Sequence, residues 1–115
     1  MNYRIITSSY FDVAAKRLAK KYPSFKEDLK TFRRVLLDNP FQGTELSPNI
    51  RKIRFAIKSK GKGKSGGARI ITYNFFAHEQ DGDIVLLLVY DKADISSVKT
   101  NVLKQIIKDE GFPIE

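Results

Sequence analysis

The chain has 115 residues, with 21 Lys and Arg against 13 Asp and Glu, a formal charge of +8 at pH 7, one histidine and no cysteine. That length fits a single domain over 1–115, able to bury roughly two-thirds of its unfolded surface. The lack of cysteine excludes disulfides, thiolate metal sites and cysteine nucleophiles. The opening MNYRIITSSYF has no apolar run of signal-peptide or membrane-span length, so a soluble cytoplasmic protein with no membrane partner is expected.

Residues 3–8 (YRIITS) read as a first strand. Phe11, Ala14, Ala15, Leu18 and Tyr22 then recur at helical spacing and predict an amphipathic helix over 10–22, stopped by Pro23. Ser24 and Glu27 have capping-box spacing for a second helix, whose apolar stripe is Phe25, Leu29, Phe32 and Leu36. Asp38-Asn39-Pro40 ends it, because the residue before proline avoids the α region.

From residue 50 the period changes from 3.6 to 2. Ile53, Phe55 and Ile57 alternate with Lys52, Arg54 and Ala56 over 50–57; 68–76 (ARIITYNFF) and 83–90 (DIVLLLVY) follow as two more strands. The apolar third strand is expected to be central, and Asp81-Gly82 suits a tight hairpin turn before it. A final helix is predicted over 96–109, with Val98, Val102, Leu103, Ile106 and Ile107 facing inward. The order β-α-α-β-β-β-α describes an α+β domain: a helical hairpin packed on a small, mainly antiparallel sheet, with a C-terminal helix.

The charge is unevenly placed. Arg51, Lys52, Arg54, Lys58, Lys60, Lys62, Lys64 and Arg69 fall in one stretch without an acidic residue, whereas 81–115 carries more acid than base. A one-sided field of this kind attracts polyanions, nucleic acid first and an anionic membrane surface second. A merely solubilising surface is the plain alternative.

His78 and the scattered acids offer no ligand cluster at metal-binding spacing, and His78 beside the Asp81-Gly82 turn reads as a solvated loop residue. Paired carboxylates for glycoside chemistry are not visible. The run 61–66 (GKGKSG) is not a Walker loop, since position 58, six before Lys64, is a lysine rather than a glycine. With four lysines and four glycines, 58–67 is either a cationic finger that wraps a nucleic-acid backbone or a soluble hairpin tip.

Lys52 and Arg54 project from one sheet face about 7 Å apart, while Ile53 and Phe55 anchor the other. Arg69 opens the strand that should return alongside. These three cations either cradle a phosphate diester or are ordinary solvated charge. For RNA such a cradle is chemically sufficient, because the ribose 2′-OH is the nucleophile. What remains is a proton acceptor, for which a lysine with depressed pKa would serve, cations for the phosphorane, and a proton donor for the 5′ oxygen. Tyr73, Tyr90, Asp91 and Lys92 are the other polar candidates, the last three closing the third strand; both tyrosines can equally be packing aromatics.

The segment IRKIRFAIKSKGKGKSGGARIITY, followed by LLLVYDKADIS and a terminal helix, resembles the RelE/ParE superfamily of bacterial toxins, most of all its HigB-like branch, over nearly the whole chain. The resemblance implies a metal-independent, cofactor-free endoribonuclease that cuts mRNA in the ribosomal A site. It also implies a cognate antitoxin, often of helix-turn-helix type, through which alone the protein would meet operator DNA. By position, Lys52 and Arg54 match the basic strand residues used for phosphate contact and base chemistry, and Arg69 matches the transition-state arginine. Tyr90, Asp91 and Lys92 fall where HigB-like enzymes place an acidic, aromatic and basic active-site trio, an incomplete match, with a lysine where a histidine stands there. Arg51, Lys58, Lys60, Lys62, Lys64 and Tyr73 are the expected RNA and ribosome contacts. RelE's C-terminal catalytic tyrosine aligns with Val98, and no tyrosine follows Tyr90. Two further readings are a ParE-like gyrase inhibitor on the same scaffold and a non-catalytic homologue that binds nucleic acid or antitoxin.

Overall fold

A computed structural model describes residues 2–61, 67–78 and 81–113, with backbone alone for 76–78. In chain order the elements are β1 (Asn2–Thr7), α1 (Ser9–Lys21), α2 (Phe25–Asp38), β2 (Thr44–Ser47), β3 (Ile50–Phe55), a single 3₁₀ turn (Lys58–Lys60), β4 (Ala68–His78), β5 (Asp81–Asp91) and α3 (Thr100–Asp109). The strands form one mixed sheet in the order β1-β5-β4-β3-β2, with β1 parallel to β5 and the other pairs antiparallel. The chain is thus α+β, with three helices and five strands among the described residues.

Each sheet face buries its own set of alternate residues. On one face Phe11 and Leu18 of α1 and Phe25, Phe32 and Leu36 of α2 pack over Ile53, Phe55, Ile70, Ile84 and Leu86. Phe55 meets Phe25 and Phe32 edge-on, at centroid distances of 5.6 and 5.4 Å, the arrangement that ring quadrupoles favour. On the other face Leu103, Ile106 and Ile107 of α3 cover Ile50, Ile71, Tyr73, Val85, Leu87 and Tyr90. Covered on both sides, β5 has no polar face to show, and this accounts for its nearly continuous apolar run.

Several boundaries differ from the sequence expectation for local reasons. Strand β2 is an addition: four residues on the sheet edge, too short to give an alternation signal. Asp81 and Gly82 do not form the hairpin turn; they pair with His78 and Phe76 inside the β4–β5 ladder. His78 is accordingly the last residue of a strand. Strand β5 lies between β1 and β4, and the middle strand is β4. A register shift opposite Ile71 and Thr72 puts the consecutive Leu87 and Leu88 of β5 on the same α3-covered side, the signature of a β-bulge.

The helix starts also move. Ser24 makes no cap bond; its hydroxyl donates instead to Asp28 Oδ2 at 2.6 Å. The working cap is Ser8, whose Oγ accepts the Phe11 N–H at 3.0 Å and donates to the Leu87 carbonyl at 2.6 Å, tying the start of α1 to β5. Helix α3 begins at Thr100 rather than 96, and Val102 is exposed.

Candidate nucleic-acid interface

Strand register decides which cations meet. Across the β3–β4 ladder Arg54 lies directly opposite Arg69, and across the β4–β5 ladder Arg69 lies opposite Tyr90. Cross-strand partners share a face, so Arg54, Arg69 and Tyr90 form one row on the α3-covered face, roughly 10 Å long. Lys52, two residues along β3 and opposite Ile71, is on the same face. Among the described residues neither Lys52 nor Arg54 gives its charge to a hydrogen bond or ion pair. Arg54 is exposed, Lys52 half-exposed and Arg69 buried, with its Nη1 donating to the Ala68 carbonyl at 3.0 Å.

Tyr90 ends the row beneath the surface. Its hydroxyl is buried and has no hydrogen-bond partner among the described residues. Burial raises its pKa, with Arg69 pulling weakly the other way, so the phenol is protonated at neutral pH. An unpartnered buried hydroxyl costs about 1–3 kcal/mol, and such a group beside an arginine is one that a phosphate oxygen can satisfy.

Asp91 departs from the expected trio. It lies opposite Ala68, on the hairpin face of the sheet, away from the cation row. Its carboxylate is buried, ion-paired with Lys60, and accepts the Tyr22 hydroxyl at 2.6 Å and the Ala93 N–H at 2.9 Å. Burial alone would raise its pKa; the bonds from Lys60, Tyr22 and Ala93 and the charge of Lys60 outweigh that and bring it to about 2. Asp91 is therefore a fixed anion at neutral pH and no proton donor.

The remaining expected contacts divide. Lys58 and Lys92 are exposed. Lys60 is engaged with Asp91, and Arg51 is turned to the edge of the sheet, where it donates to the Gln42 carbonyl at 3.0 Å and pairs with Glu45 at 3.5 Å. Tyr73 is buried, and its hydroxyl donates to the Pro113 carbonyl, a packing role rather than a surface one. Lys62 and Lys64 lie outside the described residues. Charge alone assigns Lys60 and Arg51 to the RNA side; only the tertiary fold reveals the carboxylates that take them.

A cavity of about 610 Å³ opens between the β2–β3 turn and α3 and is lined by Ile50, Tyr73, Asn101 and Lys104 among others. It includes no member of the cation row. A phosphodiester lying along a row of strand residues needs no deep pocket, so charge and register mark the site better than volume does. No three acidic or histidine side chains gather into a metal-binding group among the described residues, and no described helix is long and apolar enough to cross a membrane. No protein-family model matches the sequence.

Proposed function

We propose that the protein is a cytoplasmic toxin of the RelE/HigB-like kind, with that family's fold, which cleaves mRNA on the ribosome and is restrained by a cognate antitoxin. The observation that carries this reading is the Arg54–Arg69 cross-strand pair, with Lys52 and Tyr90 on the same sheet face.

The reaction asks little covalent chemistry of the protein. The ribose 2′-oxygen attacks the adjacent phosphorus, the bond to the 5′ oxygen breaks, and the products end in a 2′,3′-cyclic phosphate and a 5′-hydroxyl. Arg54 and Arg69 stabilise the dianionic phosphorane, where preorganised cations act most strongly. Lys52 adds a third positive charge beside the phosphate, the 2′-OH proton passes to water, and Tyr90, protonated, is the side chain on this face suited to donate to the leaving oxygen. RNA reaches Tyr90 only when the groups above it give way, since its hydroxyl is buried. That burial is also what favours a second reading, a non-catalytic RNA-binding homologue.

Primer extension on a message carried by translating ribosomes separates the two. The proposed function predicts discrete cuts that require ribosomes and disappear with Arg69→Ala. An uncut message from folded wild-type protein would leave the binding reading.

A further inference from the structure

The lysine-glycine run between β3 and β4 is fastened at its base by two buried carboxylates that the proposed chemistry does not use. Asp28 of α2 accepts the Lys58 N–H at 2.9 Å, and the Ser59 N–H donates to Ser24 Oγ at 2.8 Å. One residue on, the Lys60 ammonium pairs with Asp91 and also reaches the Gly67 carbonyl, at 3.5 Å, at the far end of the run. The same carbonyl accepts the Lys92 N–H at 3.2 Å. Asp91 thus collects the hairpin through Tyr22, the 3₁₀ turn through Lys60 and the segment after β5 through Ala93.

A buried ion pair is a poor source of net stability, because desolvation offsets its attraction; well-packed apolar residues in its place are often neutral or better. What an apolar pair cannot do is hold a backbone carbonyl and a backbone N–H in fixed places. Gly67 is two residues from Arg69, and Asp91 is the neighbour of Tyr90. We propose that Lys60 and Asp91 form a clasp that closes the base of the run at Gly67 and so sets where Arg69 and Tyr90 stand relative to Arg54. Asp91 is then a positioning residue, and the inference rests on the cleavage reading above. Displacing a catalytic group by about 1 Å can cost on the order of 100-fold in rate.

The test is the double variant K60M/D91L, chosen because Asp91→Ala alone strands a buried ammonium and can unfold the chain. Three quantities are read: the melting temperature, kcat and KM for message cleavage on ribosomes, and amide hydrogen exchange at Ser59–Gly61 and Gly67–Arg69. The clasp predicts a melting temperature near wild type, KM little changed, kcat lowered about tenfold or more, and faster exchange at both ends of the run. Wild-type kcat together with wild-type exchange would overturn it. If wild-type protein cuts no message, the cleavage reading fails by itself, and exchange decides the clasp: loss of protection at Gly67–Arg69 supports it and unchanged protection overturns it. Should the double variant not fold, Tyr22→Phe, which removes one donor to Asp91 and keeps the ion pair, is read the same way with a smaller expected fall in kcat, about threefold.

Discussion

Arg54 and Arg69 face each other across the β3–β4 ladder, so two guanidinium groups share one row of the sheet. Like charges in directly opposed positions disfavour strand pairing. An anion bridging them reverses the sign of that interaction, and the arrangement therefore favours function over stability. Arg54→Gln is expected to leave the melting temperature unchanged or slightly raised, since Arg54 is exposed and has no partner among the described residues, while message cleavage falls on the order of 100-fold. Thermal denaturation and a cleavage time course on the same preparation check both halves.

Tyr90→Phe separates the hydroxyl from the ring. The ring packs against the α3 core, whereas the hydroxyl is buried without a partner. Removing it should raise stability by about 1 kcal/mol, or roughly 4 °C in melting temperature. If the phenol protonates the leaving oxygen, kcat should fall on the order of 100-fold. A variant that is more stable and equally active would remove Tyr90 from the mechanism.

Asp91 gives the fold a defined acid sensitivity. Its pKa is about 2 in the folded chain against an ordinary value of 3.8, so as pH falls the unfolded chain takes up this proton first. The stability it contributes is complete above about pH 4 and is lost as pH drops toward 2. Urea midpoints measured from pH 6 to pH 2 should show this component in wild-type protein and lack it in K60M/D91L, which removes the carboxylate without stranding the Lys60 ammonium. Equal pH dependence of the two proteins would contradict the burial and pairing assigned to Asp91.

Ser8 is expected to matter for folding and not for chemistry. Its Oγ caps α1 through the Phe11 N–H and holds the Leu87 carbonyl of β5. Ser8→Ala removes both and should lower stability by about 1–2 kcal/mol, read from urea denaturation, with cleavage per folded molecule unchanged.

What could be read from the sequence follows from which signals are periodic. The hairpin stripe through Phe11, Leu18, Phe25, Phe32 and Leu36 repeats at helical spacing and is buried as expected. The placement of Lys52 and Arg54 on one face, with Ile53 and Phe55 on the other, needs only the two-residue strand period, and the return of Arg69 alongside follows from a hairpin. The departure of Asp91 has a related reason: successive strand residues alternate faces, so Tyr90 and Asp91 cannot both join the cation row. That much is available in the alternation; which of the two joins the row is not, because the bulge at Leu87 and Leu88 breaks the count along β5. The partners of Lys60 and Ser24, Asp91 and Asp28, come from other elements or lie one residue from the expected Glu27, and no local pattern announces them. The Ser8 cap is not legible in the sequence because Ser8 and Ser9 adjoin and only backbone geometry says which one caps.

The most direct test of the central claim is the chemical identity of the new 3′ ends. Programmed ribosomes would be incubated with wild-type protein or Arg69→Ala, and the message fragments analysed by mass spectrometry. Attack by the 2′-OH at the Arg54–Arg69 row predicts 2′,3′-cyclic phosphate ends, or the 3′-phosphate they hydrolyse to, with wild-type protein and no new ends with the variant. Fragments ending in a 3′-hydroxyl, or equal cleavage by Arg69→Ala, would contradict it.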